Sequence, residues 1–434
     1  MTPSIRGLAV AAGVAVASAL AAAPAHAATN NSFYLPPATL PAENGKLIKT
    51  YAQKLGVSFG LPFLPTYLPG KATRIQYKST DANGNPVAVS GLYIEPTKGW
   101  TGPGKRPLVA YAEGTQGQAD ACAPSKTLEN TLNYQNGSIG VGYEVPSIYG
   151  LLNRGLAVVV TDYIGLGDPT RIHTYVDRVD MAHAVLDAAR AALQVPGASV
   201  TAESPVGTYG YSQGGGASAA ALELASSYAP DVNLKAGYAG APPANLLEVL
   251  KTADGTSLTG VLGYAINGLV ANNPELGPIL AAKTNNAGKA ALAKVSNQCI
   301  GESLASFAYK KTNEWTTSKL SAYTVVSGMP DVLAVVDKQR IGKIKPTVPV
   351  QIVSGTKDDI VGHLQARQLA ADWCRLGAQV RWAPVSQPLG SGGSSLNHLG
   401  PMLTNLDSSQ IWLRDRLIGK AGGTNCYAVP GATG

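Results

Sequence analysis

Gly210-Tyr211-Ser212-Gln213-Gly214 holds a serine between two glycines at the spacing GxSxG. A hydroxyl on a sharp strand-to-helix turn needs small neighbours, and it becomes a nucleophile only when an imidazole takes its proton. The flanking residues suit such a turn. Gly207-Thr208-Tyr209 reads as a strand, and Gly214, Gly215, Gly216, Ala217 and Ser218 open a helix behind it. The alternative is an idle serine in a Gly-rich structural turn, which would need neither element.

The imidazole in turn needs a carboxylate to hold its tautomer, and after a turn of this kind the chain order is Ser, acid, His. Of the five His, His26 lies near the N-terminus, and His173 and His183 precede Ser212. His183, beside Val179 and Leu186, reads as a packed helix residue. His363 is too close in sequence to Asp358 to face the serine from a separate loop. His398, in the Gly/Ser-rich loop over residues 391–400, is the expected general base. The acid should follow a strand, as Asp358 does in Val353-Ser354-Gly355-Thr356-Lys357-Asp358-Asp359-Ile360-Val361. Asp359 is its nearest rival, suited instead to a helix start. Two backbone N–H groups must meet the developing oxyanion. The sequence offers Gln213, next to the serine, and Thr115 in Glu113-Gly114-Thr115-Gln116-Gly117.

These groups must be held by something, and the pattern supplies it. A hairpin is expected over residues 74–95, then apolar strands at 107–112 and 155–161 and a helix at 179–195. Strand 206–210, helix 213–227 and strand 234–239 follow; strands at 348–353 and 380–385 flank a helix at 364–376, and a last helix spans 406–418. Alternation at this spacing predicts an α/β fold, a mostly parallel sheet with helices on both faces. Ligands then bind at the C-terminal ends of the strands. From about 243 the pattern turns helical, with Leu246, Leu247, Leu250, Val261, Leu262, Ala265, Ile266 and Leu269 at helical spacing. The expected division is a leader at 1–27, core at 28–242 and 326–434, and an inserted helical cap at 243–325.

Composition limits the alternatives. Apolar residues make up 45% and charged ones 14%, which excludes a disordered tail, a coiled coil or collagen. Although 34 Lys plus Arg outnumber 27 Asp plus Glu, the basic residues are scattered apart from residues 338–345, so no nucleic-acid groove is expected. Arg6, an apolar run over 8–22 and Ala25-His26-Ala27 form a secretory leader cut near Ala27. Gly13 and Pro24 leave that run too short for a membrane anchor, and no later segment looks membrane-spanning. The expected product is a secreted monomer, free or held at the cell wall. Four widely spaced Cys, Cys122, Cys299, Cys374 and Cys426, suit two disulfides, with three pairings open. No His and carboxylate share a metal-ligand spacing, and the glycines of Asp162-Tyr163-Ile164-Gly165-Leu166-Gly167 lack a phosphate-loop lysine, so no metal and no cofactor is expected.

Together, residues 113–117 leading to Cys122-Ala123-Pro124-Ser125, residues 162–167 with Tyr175, residues 210–214, residues 358–361 and His398 resemble the secretory lipase family of fungal lipase A and actinobacterial exported lipases. The resemblance covers most of the chain beyond the leader. It implies an α/β-hydrolase fold with a helical cap, hydrolysing acyl esters such as triacylglycerols without a cofactor. It implies Ser212, Asp358 and His398 as triad and Thr115 with Gln213 as oxyanion donors. By the same resemblance Cys122 pairs with Cys299, tying the oxyanion loop to the cap, and Cys374 pairs with Cys426. Gly362 stands where the family often has Pro, and Thr115 roughly where the fungal lipase has Asp, departures that bear on substrate. The rivals are a carboxylesterase for short or aromatic esters, an acyltransferase or peptidase of the same fold, and a catalytically silent binding protein.

Overall fold

The computed structural model describes residues 31–56, 69–130, 132–135, 137–386 and 388–432. The leader over 1–27 lies outside them. Residues Tyr34–Gly434 form one compact unit; of the unit before it, a 3-10 turn at Asn31–Phe33 is described.

The strands are β1 (Leu47–Gln53), β2 (Gly70–Thr80), β3 (Pro86–Pro96), β4 (Leu108–Ala112), β5 (Leu132–Gln135), β6 (Ser138–Val141), β7 (Ala157–Thr161), β8 (Val206–Tyr211), β9 (Leu234–Gly240), β10 (Val350–Gly355) and β11 (Val380–Val385). Apart from the small β5–β6 hairpin they build one sheet in the order β1-β2-β3-β7-β4-β8-β9-β10-β11. From β7 to β11 every pair is parallel, whereas β1, β2, β3 and β7 pair antiparallel. Strands such as Ala157-Val158-Val159-Val160-Thr161 are buried along their whole length, as a sheet covered on both faces requires.

Alternate residues feed two separate cores. Leu108, Ala110 and Ala112 join one with helices Arg178–Ala192, Gln213–Tyr228 and His363–Arg375. Val109 and Tyr111 join the other, with helices Val145–Asn153 and Leu406–Leu417. Between β9 and β10 the chain is helical through Leu246–Thr252, Val261–Asn272, Leu276–Lys283, Asn286–Val295, Ile300–Phe307, Ala322–Ser327 and Pro330–Lys338. Its return is anchored at the buried Glu223. That carboxylate accepts from Arg178 Nη2 at 2.7 Å, Trp373 Nε1 at 3.0 Å, Gly342 N at 2.8 Å and Ile344 N at 3.1 Å. Disulfides join Cys122 to Cys299 and Cys374 to Cys426.

The structure departs from the sequence expectation in a few elements. β1, the β5–β6 hairpin and the helix Val145–Asn153 were not anticipated, and His398 stands in a helix, Leu396–Thr404, not in a loop. Pro401 inside that helix and the Gly-Ser run before it hide the helical pattern.

Candidate active site

β8 delivers Ser212 into the turn with φ 57° and ψ −123°, a conformation costly for a residue with a side chain. The packing around it enforces the turn. A Cβ on Gly214 would lie 2.0 Å from the Ala112 carbonyl oxygen, so the helix Gln213–Tyr228 approaches β4 this closely only with glycine there.

The three residues expected to act together meet. His398 Nε2 lies 2.9 Å from Ser212 Oγ, and Nδ1 lies 2.8 and 3.0 Å from the two Asp358 oxygens. His398 and Asp358 are buried. Asp358 accepts a hydrogen bond from Nδ1–H, which leaves the Nε2 lone pair facing Ser212 Oγ. Asp358 is itself oriented by the Ile360 and Val361 amides, at 3.0 and 2.9 Å to Oδ1. Tyr211 Oη donates to the His398 carbonyl at 2.6 Å. The rivals stand apart: both Asp359 oxygens are buried without a partner, and His363 Nδ1 is 3.2 Å from Ser354 Oγ. His183 packs on the Tyr228 ring with Nδ1 2.7 Å from the Thr80 carbonyl.

Thr115 and Gln213 line the same cavity as Ser212. The Gln213 side chain is fixed by a residue that sequence reasoning missed. Burial lowers the His173 pKa to about 4, leaving it neutral, so Nδ1–H donates to the Ile164 carbonyl at 2.9 Å and Nε2 accepts from Gln213 Nε2 at 3.2 Å. The Thr115 loop is fastened to the helical segment between β9 and β10. Gln118 N donates to Gln298 O at 3.0 Å, Ile300 N to Gln116 O at 2.8 Å, and the Cys122–Cys299 disulfide lies beside both. Asp162 braces the same region by accepting from Ser125 N, Ser125 Oγ and Ser90 Oγ at 2.6–2.7 Å.

The cavity that Ser212, Thr115 and Gln213 share is lined mainly by apolar side chains. Its wall beyond the serine is aliphatic, with Leu250, Leu258, Leu262, Ala265 and Ile266 from the helical segment and Ile360 from the loop after Asp358. Such a wall favours a hydrocarbon chain, and Lys283 is the charged side chain that also lines the cavity. Among the described residues, no group of three His, Cys, Asp or Glu could hold a metal ion, and no helix is long and apolar enough to cross a membrane.

A family model described as secretory lipase matches residues 131–425. The chain belongs to the secretory lipase family. Among secretory lipases and their relatives, it is 29% identical to a secreted triacylglycerol lipase of Malassezia furfur, over 70% of this chain and 63% of that one. It is 27% identical to a Mycobacterium tuberculosis protein called a probable inactive lipase, over 90% of this chain and 83% of that one. In fold it resembles Candida antarctica lipase A in its closed state, with a TM-score of 0.74 at 20% identity, over 92% of this chain and 89% of that one. The α/β-hydrolase architecture expected of a secretory lipase is therefore the one observed.

Proposed function

We propose that this protein is a secreted serine ester hydrolase, a triacylglycerol lipase, acting through an acyl-enzyme on Ser212. The observation that carries the reading is the chain of contacts from Asp358 through His398 to Ser212, opening on an aliphatic cavity. In this mechanism His398 Nε2 takes the Ser212 proton as Oγ attacks the ester carbonyl carbon. The carbonyl π electrons move onto oxygen, and the Thr115 and Gln213 N–H groups donate hydrogen bonds to the oxyanion that forms. Collapse expels the alcohol, which leaves with the proton from His398. Water, deprotonated by His398, then attacks the acyl-enzyme and releases the acid.

The segment over 243–325 acts as the cap, and its aliphatic lining supports acyl chains of medium or greater length. The enzyme acts outside the cell as a monomer after cleavage near Ala27, on ester substrates presented by lipid. The test combines fluorophosphonate labelling, read by intact mass, with hydrolysis of nitrophenyl esters from acetate to palmitate. One adduct on Ser212, turnover abolished in Ser212→Ala and preference for octanoate or longer esters are expected. Preference for acetate or butyrate would make it a short-chain carboxylesterase, and folded protein with neither adduct nor turnover would make it a binding protein.

A further inference from the structure

We propose that Glu144, together with Tyr143, is a positioning residue for the reaction: the pair clips the loop after β4 so that the Thr115 N–H is presented to the oxyanion. This inference rests on the ester-hydrolase reading above.

The polar groups of that loop are satisfied one after another. Tyr163 Oη donates to the Glu113 carbonyl at 2.6 Å, and Glu144 Oε1 accepts from Gly114 N at 2.6 Å. Tyr143 Oη donates to the Thr115 carbonyl at 3.1 Å, and Thr115 Oγ1 pairs with Tyr175 Oη at 2.5 Å. The peptide joining Gly114 to Thr115 is therefore gripped on both sides, by the N–H of the residue before it and the carbonyl of the residue after it. Among the described residues, none accepts from the Thr115 N–H, which leaves that donor for substrate.

The two gripping side chains are neighbours at the entrance to a helix. Glu144 is the N-cap of Val145–Asn153, with Pro146 in the first turn, and its carbonyl accepts from Ser147 N and Ile148 N at 2.9 and 3.1 Å. The clip is thus mounted on a regular element packed in a core, not on a free loop. A Cβ on Gly114 would come within 2.7 Å of both Glu144 Oε1 and Tyr143 Oη, so glycine is what admits the clip. The other Glu144 oxygen accepts from Tyr111 Oη at 2.5 Å.

A second buried carboxyl stands beside it. Both Glu113 oxygens lack a partner, and burial, with the nearby Glu144 and Asp162, pushes its pKa far up. Burial raises Glu144 only to about 7, because Tyr111 and the Gly114 amide favour its charged form. Of the two, Glu144 is the one shaped to accept from both sides.

An oxyanion donor acts on the transition state, so loosening it lowers kcat and leaves KM nearly unchanged, unlike a general loss of structure. Glutamine can reproduce the clip, accepting from Gly114 through Oε1 and donating to Tyr111 through Nε2. Leucine cannot. The full mature chain is assayed at about pH 8, where Glu144 is ionised, with nitrophenyl octanoate and with octylboronic acid, which forms a tetrahedral adduct on the serine. Glu144→Leu is expected to lower kcat about 100-fold, near the effect of losing one oxyanion donor, with KM within about twofold. Boronate affinity should fall in parallel, Glu144→Gln should recover most of the loss, and Tyr143→Phe should lower kcat by about fivefold. A folded Glu144→Leu with wild-type kcat, or a Gln variant as poor as the Leu variant, overturns the inference. Should Glu144→Leu fail to fold, wild-type kcat and boronate affinity in Tyr143→Phe overturn it instead. Wild-type protein without Ser212-dependent turnover sinks the hydrolase reading, and this inference with it.

Discussion

At the scale of single residues, the groups that a sequence reveals are those whose chemistry is rare and whose neighbours are local. Ser212 is marked by the glycines on either side of it, and Asp358 by the strand end just before it. His398 emerged because few imidazoles follow the serine. His173 gave no such signal, since its partner Gln213 lies 40 residues away and nothing local marks the contact. The same holds for Glu144, joined to Gly114 across 30 residues. His173 also leaves a trace in stability. Its folded pKa, about 4, lies below the usual 6.5, so an unfolded chain takes up a proton that the folded one refuses. Its contribution is fully present above pH 6.5 and is lost as pH falls toward 4, by about 3 kcal/mol at most. Urea unfolding of wild type and His173→Phe at pH 7 and 4.5 checks this. The variant should be less stable at pH 7 yet lose less on acidification, and parallel losses would contradict the assignment.

At the scale of elements, long apolar or alternating segments were legible, and short or interrupted ones were not. Both faces of β7 are apolar, which identifies a central strand, whereas β1 is half-exposed at the sheet edge and carries Lys49 and Gln53. The helix bearing His398 was hidden by its own proline. How the elements interlock is not a local property at all. Glu223 is an ordinary helix residue in sequence, yet its carboxylate ties Arg178, Trp373 and the strap at Gly342 to the helix that follows Ser212. Removing one side of a buried, hydrogen-bonded ion pair costs about 3–5 kcal/mol. Glu223→Leu should therefore lose that much in chemical denaturation, and a loss under about 1 kcal/mol would show that the strap is held by packing instead.

At the scale of the whole molecule, the helical segment and the sheet share one cavity, with Ser212 on the sheet side and Ala265 on a helix of the other. The sequence foretold apolar helices around an acyl pocket but not which of their residues line it, because pattern fixes which face is apolar without saying what that face encloses. Ala265→Phe adds a ring to that wall. It should raise KM for nitrophenyl palmitate about tenfold, while butyrate hydrolysis changes less than about twofold. Equal effects on both esters would place the long acyl chain elsewhere.

The bond between Cys122 and Cys299 also makes the molecule a closed ring, spanning 177 positions and containing Ser212 and much of the helical segment. A protease that cuts within that ring breaks a peptide bond but releases no fragment. The nicked protein would run as one species until a reductant is added and as two pieces afterwards.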